Sequence, residues 1–182
     1  MKTPTNALAV LFVFAQYGFR KVSMTDIAEA AGLSRQSIYN QFGSKKAVFD
    51  WTVRTVGEDV TNAAIALFSN TESAPQDTIV AVFQTWVGNY LHIWSGTPHG
   101  PEILEMAIET TVQANVNYED MLMEALSEFL ITSNVVSNTE MAKDMSFAIY
   151  SASKGLLLKS SHSDDYEFNM MRIVRAVCRT QS

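Results

Sequence analysis

The sequence predicts an all-α protein of about nine helices: an N-terminal three-helix domain with a helix-turn-helix, then a longer helical domain. Three observations carry this. Only four prolines and eight glycines occur in 182 residues, and they cluster, which leaves long stretches free to propagate helix. Apolar positions recur at helical spacing, whereas no segment combines alternation with β-branched enrichment strongly enough for a strand. Apolar residues make up 47 % and charged residues 18 %, a balance that suits a packed globular chain.

Taken in order, Thr3 or Thr5 is a candidate cap for the first helix, with Pro4 tolerated near its start. That helix is expected from about Asn6 to Gln16, stopped near Gly18, with Leu8, Leu11, Phe12 and Ala15 sharing one face. Thr25 is read as the N-cap of a second helix that continues through Ala31 and ends at Gly32. Ser34 would cap a third helix through Phe42, Gly43 break it, and Ser44 cap a fourth over about 45–68. After a loop at 69–77, helices are expected at about 76–95, 101–114, 117–132, 140–160 and 165–179.

The head carries the chemistry. Ala28, Gly32 and Ile38 have the spacing of a helix-turn-helix: a small residue where two helices cross, a turn residue that accepts positive φ, and an apolar anchor. With those inward, the opposite face of the third helix must point out, and from Ala30 to Ser44 its only charge is Arg35. A face without acids suits phosphates. Arg35 can donate a bidentate pair to guanine, Gln36 can pair with adenine, and Ser37 can approach either base. Thr25, Ser34, Tyr39 and Lys45 lie where phosphates would be met, and Asn40 could read or position. Residues 1–54 hold seven basic and three acidic residues, so +4, which leaves −10 for the rest of a chain of net charge −6. A basic head on an acidic body suggests that one part meets a polyanion. The expected division is 1–49 for DNA binding and 50–182 for the rest.

The stretch "GFRKVSMTDIAEAAGLSRQSIYNQFGSKKAVF" resembles the N-terminal domain of TetR/AcrR-type transcriptional regulators. Met24-Thr25-Asp26-Ile27-Ala28, Ala31-Gly32-Leu33-Ser34, Ile38-Tyr39-Asn40-Gln41-Phe42 and Ser44-Lys45-Lys46-Ala47-Val48 carry the likeness over about 45 residues. Asn40 and Gln41 depart from the tyrosine and histidine usual there. The resemblance implies a homodimer on a double-stranded DNA operator and a C-terminal domain that binds a small apolar or amphipathic ligand. Aromatic and methionine residues at helical spacing make Trp86, Tyr90, Trp94, Met106, Met121 and Tyr150 ligand-pocket candidates. Small and apolar residues on the last two helices, Ala148, Ala152, Gly155, Leu156, Met170, Ile173, Val174 and Val177, suit a four-helix dimer contact.

Other classes have weaker support. His92 or His99 with Glu102, Glu105 or Glu109 could be imagined as an acid-base or metal site of a helical enzyme, but the glutamates read as a solvated face. No glycine-rich phosphate loop, zinc spacing or serine-hydrolase motif occurs, so no cofactor, metal or catalytic residue is expected. The lone Cys178 fits a reducing cytoplasm. The apolar run at 7–19 is too short to span a bilayer, so no membrane association is expected.

Overall fold

The computed structural model describes residues 6–70, 72–160 and 162–178, and every regular element among them is helical. In chain order these are α1 (Ala7–Tyr17), α2 (Met24–Ala31), α3 (Arg35–Phe42), α4 (Lys45–Ala66), α5 (Pro75–Trp86), α6 (Leu91–Trp94), α7 (Gly100–Gln113), α8 (Tyr118–Thr132), α9 (Thr139–Leu157) and α10 (Ser163–Val177). Single 3-10 turns lie at Leu67–Ser69 and Gly88–Tyr90. The capping expected of Thr3, Pro4 and Thr5 falls outside the described residues; Asn6 is the cap, its Oδ1 accepting from the Ala9 amide at 3.0 Å.

The chain forms two compact units. The first takes residues up to Glu58 together with Ile93–Val116, the second Asp59–His92 with the described residues from Asn117 onward.

In the first unit, Phe14, Phe19 and Phe49 form an aromatic cluster with ring centroids 5.2–5.7 Å apart, joining α1, the turn after it and α4. Val10, Leu11, Phe14 and Ala15 form the buried face of α1, whereas Leu8 and Phe12 are exposed at 39 % and 40 %. Two of the four residues assigned to that face by spacing therefore point away. The helix is apolar nearly all round, so periodicity could not locate its inner side.

Gly18 closes α1. Its φ of +81° and ψ of 146° lie where side chains are strained, and a Cβ there would sit 2.9 Å from His99 Nδ1. The backbone amide of His99 in turn donates to the Ala15 carbonyl at 2.9 Å, which fastens the start of α7 to the end of α1. Gly18→Ala is expected to cost about 1–3 kcal/mol, read as a lower urea midpoint with unchanged slope.

The second unit buries Ile79, Val82, Phe83, Leu122, Leu126, Leu130, Ile149, Tyr166, Met170 and Val174 around one core. The single helix expected over 76–95 is broken. It stops at Trp86, turns through Gly88 and resumes at Leu91, with the Gln84 side chain occupying the space a Cβ on Gly88 would need. Between α9 and α10, the fully buried hydroxyls of Ser153 and Tyr166 share a hydrogen bond of 2.6 Å. Burial pushes the Tyr166 phenol above its ordinary range. Tyr166→Phe is expected to cost about 1–2 kcal/mol in chemical denaturation, with part of that regained on adding Ser153→Ala, because the orphaned hydroxyl is then removed.

Candidate nucleic-acid interface

The interface is built from the caps inward. Ser23, not Thr25, caps α2: its Oγ accepts from the Asp26 amide at 3.2 Å, while Asp26 Oδ2 accepts from the Ser23 amide at 2.8 Å. The Ser23 amide foremost, and next the Ser23 hydroxyl, which donates to Asp26 Oδ2 at 2.7 Å, hold the Asp26 carboxyl below its usual range. Thr25, two residues past the cap, is exposed.

Gly32 then takes the left-handed conformation, with φ 70° and ψ 28°, and the Leu33 amide donates to the Ala28 carbonyl at 2.9 Å. Ser34 starts α3, its Oγ accepting from the Ser37 amide at 3.1 Å and pairing with the Ser37 hydroxyl at 2.8 Å. Ile38 is the one fully buried residue of α3, while Phe42 meets Trp51 of α4 at 5.0 Å between ring centroids. The small residue, the left-handed turn and the apolar anchor therefore occupy Ala28, Gly32 and Ile38, as their spacing requires.

Arg35, Gln36, Ser37, Tyr39 and Asn40 all lie on the exposed side, with Gln41 beside them. The Arg35 guanidinium sits 5.5 Å from the centre of the Tyr39 ring, which restrains it. An α-helix about 10–12 Å across with its side chains, here bearing donors and no acid on its outer face, fits the roughly 12 Å width of a DNA major groove.

The Lys45 ammonium, expected at a phosphate, donates to the Val22 carbonyl at 2.8 Å and the Arg20 carbonyl at 3.1 Å. Lys46 pairs with Asp50, a carboxylate that also accepts from the Thr110 hydroxyl at 3.2 Å.

The pocket candidates fall in both units. Trp86 and Tyr150 meet in the second unit with ring centroids 5.8 Å apart, and Trp86 Nε1 donates to Thr61 Oγ1 at 3.2 Å. The Tyr150 hydroxyl is buried without a hydrogen-bond partner among the described residues. Burial above all, with the Glu119 and Asp120 carboxylates nearby, raises its pKa. Tyr90 is half-buried in the same unit. Met121 is 45 % exposed on α8, where Leu122 and Leu126 face the core instead, so it does not line that interior. Trp94 and Met106 are half-buried in the first unit. Thr61, the partner of Trp86, was missed; a threonine on a long helix gives no sign of such a bond.

The dimer candidates divide. Ala148 and Gly155 are exposed, and Ala152, Leu156, Ile173 and Val177 half-buried. Met170 and Val174 are fully enclosed in the protomer's own core, so they are unavailable to a second chain. The large exposed apolar side chains of α9 and α10 are Met141, Phe147 and Phe168, at 53 %, 65 % and 66 %.

His92 Nδ1 lies 2.9 Å from the Asn89 carbonyl in the second unit, and His99 Nδ1 lies 2.9 Å from Glu102 Oε2 in the first. Glu105 and Glu109 are exposed. Among the described residues no helix is long and apolar enough to cross a membrane.

The described residues are all-helical, and α3 presents an acid-free outer face from a helix-turn-helix. The profile described as bacterial regulatory proteins, tetR family, matches residues 11–50, so this segment is a TetR-type N-terminal domain. The whole chain shares the TetR-family regulator fold. Against PfmR, a TetR-family transcriptional regulator from Thermus thermophilus, the TM-score is 0.59 at 16 % identity, with 97 % of this chain and 98 % of that chain covered. A TetR-like regulator from Rhodococcus sp. RHA1 gives 0.61 at 19 % identity, covering 96 % and 94 %. The TetR-family repressor AlkX from a Dietzia species gives 0.52 at 17 % identity, covering 94 % and 95 %. Comparison with curated proteins gives no match.

Proposed function

We propose that the protein is a homodimeric transcriptional repressor that binds a two-fold symmetric DNA operator and is released by a small apolar or amphipathic molecule. The observation that carries this reading is the outer face of α3, where Arg35, Gln36, Tyr39 and Asn40 are exposed while Ile38 is buried. Arg35, Gln36 and Ser37 read base edges, Asn40 supports them, and Thr25, Ser34 and Tyr39 meet the flanking backbone. A dimer seated on promoter DNA excludes polymerase, which makes repression the direct outcome. Residues 1–49 supply the DNA contact and 50–182 the ligand and dimer functions.

Trp86 and the unpartnered Tyr150 hydroxyl supply the apolar wall and polar handle that a ligand of this class would use. Such a ligand must prefer the released form by at least a few kcal/mol to change occupancy appreciably.

Selection of bound duplexes from a random pool, followed by footprinting, tests the reading. Two related half-sites are expected, with centres separated by about 34–36 Å or a multiple of it. Failure to enrich any sequence would end the assignment. For the ligand, quenching of tryptophan emission by apolar compounds must coincide with release of the selected duplex.

A further inference from the structure

We propose that Lys45 is a positioning residue for base reading, acting through the turn between α1 and α2 and not through a phosphate. The inference rests on the DNA-binding reading above and assigns one residue a different part in it. Lys45 is the first residue of α4, where the helix dipole disfavours a cation. Its side chain turns away to donate to two carbonyls, Val22 at 2.8 Å and Arg20 at 3.1 Å, and its Nζ lies 5.0 Å from the centre of the Phe19 ring. An ammonium has three donors, and two are directed at backbone oxygens.

What those oxygens belong to decides the consequence. Val22 directly precedes Ser23, the cap of α2. The cross-link therefore fixes the chain leading into α2 to the start of α4. α2 in turn holds α3 through the Ala28–Gly32 turn, so the outer face of α3 inherits its pose from this lysine. Base reading needs side chains held within about 0.5 Å of their productive positions. Phosphate attraction tolerates displacement, because it depends on charge and distance more than on orientation. Loss of the cross-link therefore falls on sequence discrimination.

The experiment compares Lys45→Met with the unaltered protein on two probes: a duplex enriched by the unaltered protein from a random pool, and a duplex of random sequence. Methionine keeps an apolar stem beside Phe19 and removes the three donors together with their charge. Affinity for the enriched duplex is expected to fall at least tenfold, affinity for the random duplex to stay within twofold, and the dependence of log affinity on log salt to keep its slope. Equal losses on both probes, with the slope reduced by about one unit per protomer, would mark a phosphate contact and overturn the proposal. Acetylation of the unaltered protein, read by mass spectrometry, does not depend on how the variant folds. Lys45 is expected to be protected before DNA is added while exposed Lys21 reacts; a Lys45 that reacts freely and is shielded only by DNA would overturn it. Should the unaltered protein enrich no duplex, the DNA reading itself fails, an outcome distinct from equal losses on the two probes.

Discussion

Alanine at position 35 is expected to abolish discrimination of the operator while leaving the fold intact. Arg35 is exposed, so its removal disturbs no core, and it is the only charge on α3. A bidentate arginine–guanine pair contributes about 1–3 kcal/mol, and a symmetric dimer presents two, so affinity for the selected duplex should fall by about 30-fold to 10⁴-fold. The Tyr39 ring, 5.5 Å from the guanidinium, adds to the loss by limiting the orientations open to Arg35 before binding. Binding to random-sequence duplex should weaken far less, because one of several cations has gone. Mobility-shift titrations on both duplexes at fixed salt measure the ratio. An unchanged preference for the selected sequence would remove α3 as the reading helix.

Paired aspartates at Phe147 and Phe168 should separate the proposed dimer. Both rings are about two-thirds exposed in the single chain, an unusual placement for large apolar groups on consecutive, mutually packed helices. Phe147 lies on a stripe of α9 with Ala148, Ser151 and Gly155, whose small side chains let another helix approach. A stable interface of standard size buries about 1,200–2,000 Å², and an unpaired carboxylate at its centre is strongly unfavourable. The double variant is expected to sediment as a monomer at micromolar concentration, with dimer dissociation raised at least 100-fold and helical content unchanged. Operator affinity should collapse with it, since each half-site would then be bound alone. A double variant that dimerises like the original protein would place the interface elsewhere.

The head was legible because its chemistry is local. Ala28, Gly32 and Ile38 each satisfy a steric or conformational demand at a fixed spacing, and burying Ile38 dictates which side chains of α3 face out. The cap of α2 was misplaced by two residues although its signal was present: Ser23 stands three positions before Asp26, the spacing of reciprocal capping. The partners of Lys45 were not legible, because they are carbonyls 23 and 25 residues away that no side-chain pattern announces. On α10, Met170 and Val174 have the spacing of a packing stripe, and spacing alone does not say whether the partner helix is in the same chain or another. The inner face of α1 was blurred for a simpler reason: a helix apolar on all sides has no amphipathic signal to follow.

The segment Ile93–Val116 leaves a long excursion of the chain and returns to complete a unit begun by the described residues up to Glu58. Its ties there are concrete: the His99 amide on Ala15, the His99 ring against Gly18, and the Thr110 hydroxyl on Asp50. A DNA-reading cassette cut from this protein near residue 50 and grafted onto another sensor would therefore arrive without half of its seat. Swapping specificities between regulators of this build calls for transplanting α7 as well, or for repainting only the outer residues of α3 on the original frame.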